Sequence, residues 1–199
     1  MSQQIDYYFT SISPFTYLGH QTLLQIAEQH QLKVQFKPVK LGQVFGESGA
    51  KPLPERPKCR QEYRLVELKR WAKKRELAIN LHPAHFPTDP TLADRCVIAL
   101  QESGQDAGAF INQVLAACWT EDRNIADEGV LRELLTVLRF NADEVIQQAQ
   151  FQSTQAVYDA NTLDAIEQGV LGAPSYMLDG EQFWGQDRLE LLAETLSAS

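Results

Sequence analysis

The sequence predicts an α/β fold: one small sheet, begun near the N-terminus and completed near the C-terminus, interrupted by a large all-helical insertion. Three observations carry this reading. A strand–helix–strand pattern fills Ile5 to Val39, a second pair of strand signals lies between Gly172 and Trp184, and the periodicity between them is helical almost throughout. Neither strand cluster alone makes a covered sheet, so a single sheet split by an insertion explains the order better than two unrelated domains.

The first strand is Ile5 to Thr10, rich in β-branched and aromatic residues, and it stops at Ser11-Ile12-Ser13-Pro14. Serine then proline is a helix start. The hydroxyl caps open N–H groups, and proline at the first helical position gives up an N–H that has no partner there. A helix over Phe15–His30 follows, with Leu23, Leu24 and Ala27 along its inner face, and Leu32–Val39 alternates as a second strand. Gly42 to Pro57 reads as turn-rich, and the domain boundary is placed there. The regions 1–45 and 170–199 then form the sheet domain, with a helix over 153–168 packing on the sheet, and 46–152 forms the insertion. Helices are expected over Lys58–Ala78, Thr91–Ser103, Ala107–Thr120, Asp127–Leu138, Ala142–Gln150 and Ser153–Gln168, with a proline-punctuated loop from His82 to Pro90. The Asp179-Gly180 pair marks a tight hairpin turn, and a helix from Gln186 to Leu196 ends the chain.

Composition bounds the function classes. With 199 residues, 44% hydrophobic and 22% charged, the chain buries a core without staples. Its formal charge of -8, from 18 Lys+Arg and 26 Asp+Glu, disfavours nucleic acid and anionic membrane as partners. The basic concentration from Lys51 to Arg75 is interrupted by Glu55, Glu62 and Glu67 and reads as a solvated helix face. No apolar run reaches the length needed to span a bilayer, and the N-terminus has neither the basic nor the apolar region of a secretory signal. Cys59, Cys96 and Cys118 are an odd number without CxxC spacing, which suits a reducing compartment, so a cytoplasmic protein is expected. Cys96 and Cys118 sit in apolar contexts and are expected to be buried.

Four segments, in order along the whole chain, resemble a known family. Ser13-Pro14-Phe15-Thr16-Tyr17-Leu18 after the first strand, Tyr63 to Trp71, Gly172-Ala173-Pro174, and Trp184-Gly185-Gln186-Asp187-Arg188-Leu189 are together similar to bacterial 2-hydroxychromene-2-carboxylate isomerases and their relatives, the kappa-class glutathione transferases. The resemblance implies a thioredoxin-like fold with a helical insertion, a cis bond before Pro174, glutathione as cofactor, a small aromatic substrate and a homodimer. It implies roles for Ala173 and Pro174 at the cysteinyl part of glutathione, and for Trp184, Gly185, Gln186 and Asp187 at its γ-glutamyl end. The family's Gly-Val-Pro is Gly-Ala-Pro here, a change that a main-chain contact tolerates. Its asparagine near Gly49–Pro54 is missing, and only Lys58 or Arg60 can take the place of its following lysine.

The residues suit that chemistry. Thioredoxins carry a cysteine where this chain has Ser13, so disulfide exchange by the protein itself is excluded, and what remains is a helix N-terminus able to hold an anion. A helix end contributes roughly 0.3–2 kcal/mol and a hydrogen bond to an ion about 1.5–3 kcal/mol. Together they bring a thiol with an ordinary pKa of about 8.5 to about 5.5–7.5, so no general base is needed. Ser13 is therefore the candidate catalytic residue, although the same serine would serve as a plain N-cap. Asp187 can pair with an α-ammonium or act only as a first-turn acid. Phe45, His85 and Phe86 are candidates for the aromatic substrate's pocket. His82 and His85 lack a third ligand at sensible spacing, so no metal is expected. A glutathione-dependent isomerase is the favoured activity. A kappa-like transferase or peroxidase and a non-catalytic thioredoxin-like binding module are the alternatives.

Overall fold

In the computed structural model, which describes residues 3–198, β1 (Gln4–Phe9) lies inside a four-stranded sheet of order β2-β1-β3-β4. It pairs in parallel with β2 (Lys33–Pro38) and antiparallel with β3 (Ser175–Leu178), which pairs antiparallel with β4 (Glu181–Trp184). The strands at the two ends of the sequence therefore meet in the middle of one sheet. Asp179 and Gly180, at φ 50° and 85°, form the turn between β3 and β4. Between β2 and β3 run α2 (Leu41–Ser48), α3 (Lys58–Lys74), α4 (Thr91–Glu102), α5 (Ala107–Trp119), α6 (Glu128–Val137), α7 (Ala142–Ala149) and α8 (Gln152–Glu167). The fold is thus a mixed α/β, thioredoxin-like fold with α3 to α8 as its helical insertion.

Alternation along β1 divides the core. Ile5, Tyr7 and Phe9 join α1 (Pro14–Gln29) and the insertion helices in one cluster, while Tyr8 packs with Val44 of α2, Ala165 of α8 and Val170 on the opposite face. His20 of α1 is fully buried, and its Nε2–H donates to the Gly108 carbonyl of α5 at 2.9 Å; burial lowers its pKa to about 4, so it stays neutral and structural. Cys96 and Cys118 are buried as expected, and burial pushes both thiols up to about 12. No helix among the described residues is long and apolar enough to cross a membrane.

Four local expectations are corrected. The stretch read as all turn begins with α2, which runs through the boundary placed between positions 45 and 46. Gly42 and Gly46 lower its helix propensity by about 1 kcal/mol each, but Val44 is buried against the sheet and Gly49, at φ 74°, closes the helix as a left-handed cap. Helix α3 stops at Lys74 rather than Ala78, and the last helix starts with a short 3-10 turn, Gln186–Arg188, before α9 (Leu189–Ala198). The basic stretch is only partly a solvated face. Arg64 turns onto the Phe86 and Trp119 rings, and Arg75 pairs with Glu190 with only 11% of its side chain exposed.

Gly19 sets the approach of α1 to the Gln186 turn. A Cβ there would stand 2.8 Å from both the Gln186 Cβ and the Tyr176 hydroxyl, and 3.3 Å from the Gln186 Cα. Gly19→Ala gains about 1 kcal/mol of helix propensity but meets about 1–3 kcal/mol of overpacking. A net loss of stability is expected in urea unfolding. A gain of about 1 kcal/mol would show that the contact relaxes freely.

Candidate active site

The site is built where the end of β1, the start of α1 and the loop into β3 converge. Ser13, extended at φ −79° and ψ 125°, is the N-cap of α1, and Pro14 is its first helical residue. The Ser13 Oγ accepts from the Thr16 N–H at 3.2 Å, satisfying one open donor of the helix. The same hydroxyl points its proton at the Ala173 carbonyl oxygen at 3.5 Å, a long and weak bond. Ser13 is recessed, with 6% of its surface exposed. It is thus an N-cap whose hydroxyl proton has no strong partner.

The Ala173–Pro174 bond is cis, as is Phe86–Pro87, which the sequence did not signal. The Pro174 carbonyl accepts from the Gly185 N–H at 2.9 Å, tying the loop before β3 to the turn after β4. Gly185 has φ 106°, and a Cβ on it would fall 2.5 Å from Asp187 Oδ1, so only glycine leaves that space open. Trp184 is half exposed, and its indole nitrogen would lie 3.1 Å from a Cβ on Gly172. Asp187 is partly exposed and paired with Arg188 at 3.1 Å, an interaction worth about 0–1 kcal/mol that an ammonium group can compete for. Gln186 is different: it is buried, its side-chain oxygen accepts from Arg75 Nε at 3.2 Å and its carbonyl from Arg75 at 2.9 Å. Its side chain and its carbonyl are therefore spent on joining α3 to this turn, which leaves its backbone N–H for any ligand contact.

Beneath Ser13 lies a residue the sequence reading missed. Asp94 of α4 is fully buried and accepts from the Ser11 N–H at 2.8 Å, the Ser11 hydroxyl at 2.6 Å, and the Thr10 and Tyr158 hydroxyls at 3.0 Å each. Burial raises its pKa to about 6 against the opposing effect of these bonds. Thr10 in turn accepts from the Ser13 N–H at 3.1 Å, so Asp94 fixes the backbone that presents the serine. The signal was an acid in the apolar run of α4, next to Ala93 and one turn before Val97 and Ile98.

The expected substrate-pocket residues do not gather at one wall. Phe45 is half-buried beneath the Arg56 guanidinium, 5.7 Å from its ring centre, and 3.5 Å from where a Gly172 Cβ would stand. Phe86 lines a cavity of about 400 Å³ between α3 and the 82–87 loop. His85 is exposed, and the histidine lining that cavity is His82. Among the described residues no three His, Cys, Asp or Glu side chains are grouped to hold a metal ion.

A DSBA-like thioredoxin domain model matches residues 4–197. A 2-hydroxychromene-2-carboxylate isomerase of Pseudomonas putida is 30% identical, covering 96% of this chain and 93% of its own. One of Sphingobium xenophagum is 29% identical over 98% of this chain and 99% of its own. The solved structure of a 2-hydroxychromene-2-carboxylate isomerase superposes with a TM-score of 0.86 at 26% identity, covering 98% of this chain and 95% of that one.

Proposed function

The chain belongs to the family of DSBA-like thioredoxin domains and to that of the 2-hydroxychromene-2-carboxylate isomerases, and on that premise we propose that it is a glutathione-dependent isomerase of a small aromatic carboxylate such as 2-hydroxychromene-2-carboxylate. The observation that carries the reading is the Ser13 hydroxyl at the N-terminus of α1, its proton held only by the Ala173 carbonyl at 3.5 Å. The residues present fit glutathione. Ser13 and the helix end suit an anionic sulfur, Ala173 offers its backbone to the cysteinyl part, and the space kept open by Gly185 beside Asp187 suits an α-ammonium. Bound there, glutathione supplies a nucleophilic sulfur to a conjugated double bond and is recovered unchanged.

The chain's own part is electrostatic. The helix end and the Ser13 O–H lower the cost of a negative sulfur, and Asp94 holds the turn that aims the hydroxyl. No residue of this site needs to take up a proton. On the family resemblance alone, the proposal extends to a cytoplasmic homodimer.

The ultraviolet absorbance of the thiolate tests the reading. Bound glutathione is expected to titrate below pH ~7.5, and Ser13→Ala to raise that midpoint by about 1–2, the worth of one hydrogen bond to an ion. Superimposable titrations would remove Ser13 from the mechanism. Stoichiometry separates isomerase from transferase. Many turnovers on trace glutathione are expected, whereas loss of free thiol with each turnover would favour the transferase.

A further inference from the structure

Five of the ten arginines face carboxylates: Arg70 faces Glu67, Arg75 faces Glu190, Arg123 faces Glu133, Arg132 faces Glu128 and Arg188 faces Asp187. Arg64, half-buried on α3, does not. Among the described residues it has no hydrogen bond and no ion pair; its guanidinium lies over the Phe86 and Trp119 rings, 5.5 and 6.0 Å from their centres. Burial, and second to it the like charge of Arg56, lowers the Arg64 pKa to about 10, leaving it ionised at neutral pH. A guanidinium withdrawn from solvent without a counter-ion is costly unless an anion completes it.

The place where an anion would complete it is a cavity. Arg64 lines the space of about 400 Å³ between α3 and the loop that carries Pro83 and Phe86, a volume in the range of small-molecule sites. Leu53, Leu65, Leu81 and Phe86 make its walls apolar. Lys58 and Glu62 also reach it, but they face one another at 3.7 Å and cancel. Gln61 is committed to the Arg56 carbonyl at 2.8 Å, and Arg56 itself donates to the Lys51 carbonyl at 2.7 Å. The cavity thus offers apolar and aromatic walls and one uncompensated, planar cation suited to two parallel bonds with a carboxylate.

We propose that Arg64 is the specificity-determining residue for the second substrate, binding the carboxylate of an aromatic acid whose ring lies against Phe86. The assignment rests on the isomerase reading for its biological meaning, but not for its test. Cinnamate and its neutral isostere cinnamamide are titrated calorimetrically into the protein without glutathione. Cinnamate is expected to bind about tenfold or more tightly than the amide, the worth of one charge-assisted bond pair. Arg64→Gln is expected to erase that preference, and Arg64→Lys to keep part of it, with thermal unfolding followed to verify that both variants fold. Should Arg64→Gln fail to fold, Arg64→Met keeps the apolar stem over Phe86 and reads the same difference. Equal affinities in the unaltered protein, or a preference that survives loss of the guanidinium, would overturn the assignment. The two readings fail separately. An Arg64-dependent preference with no thiolate signal at Ser13 sinks the isomerase reading alone, and a thiolate signal without the preference sinks this one alone.

Discussion

Asp94→Ala is expected to destabilise the protein by about 3–5 kcal/mol, because it leaves the buried Ser11 N–H without an acceptor and empties space beneath β1 and α1. Asp94→Asn is expected to behave differently. Its remaining oxygen still accepts from the Ser11 N–H, and its amide can donate to the Thr10 and Tyr158 hydroxyls, which are free to turn and accept. The two proteins then separate with pH. Asp94 titrates near 6 in the folded chain against an ordinary 3.8, so the folded state holds the proton more tightly than the unfolded state does. The stability this contributes is complete below pH ~4 and lost as pH rises through about 6, a swing of about 3 kcal/mol. Relative to Asp94→Asn, the unaltered protein is expected to lose that amount between pH 4 and pH 7 in urea unfolding. A flat difference, or one of opposite sign, would show that Asp94 is no more costly to ionise folded than unfolded. Thiolate formation should fall in Asp94→Ala and persist in Asp94→Asn, since only the alanine variant releases the turn ahead of Ser13.

The parts of this molecule readable in its sequence are those that local chemistry determines. Ser13-Pro14 announces a capped helix, Asp179-Gly180 a tight turn, and the β-branched and aromatic run from Ile5 a strand; the structure has all three. Helix α2 was hidden because its two glycines speak locally for a turn, while the burial of Val44 that stabilises it depends on Tyr8 and Ala165, which are distant in sequence. The supporting residues were hidden for the same reason. Arg75 and Asp94 look like ordinary helix charges until the fold sets Gln186 and the Thr10–Ser11 turn against them. His82 and His85 differ only in which of them the 82–87 loop turns toward α3, a choice made by the chain's path and not by composition. Resemblance to a family named candidates for ligand contact; it did not name the residues that hold those candidates in place.

Gly185→Ala is expected to weaken both the fold and glutathione binding, and the coupling between the two effects identifies the cause. At φ 106° and ψ 147° an alanine costs about 1–3 kcal/mol, and the backbone cannot turn away: the Gly185 N–H is held by the Pro174 carbonyl at 2.9 Å and its own carbonyl by the Arg188 N–H at 3.0 Å. The group that yields is instead the Asp187 side chain, whose Oδ1 would be 2.5 Å from the new Cβ. If Asp187 holds the α-ammonium of glutathione, moving it forfeits a charge-assisted bond, and affinity falls about tenfold. Asp187→Asn should lose about as much affinity while changing stability by less than ~0.5 kcal/mol, since its pair with Arg188 is partly exposed. The double variant should then bind glutathione no worse than the weaker single variant, because the second change removes an interaction already lost. Calorimetric titration of all four proteins decides it. Losses that multiply would mean that the glycine acts on the ligand directly and that Asp187 is only the first-turn acid of the helix behind it.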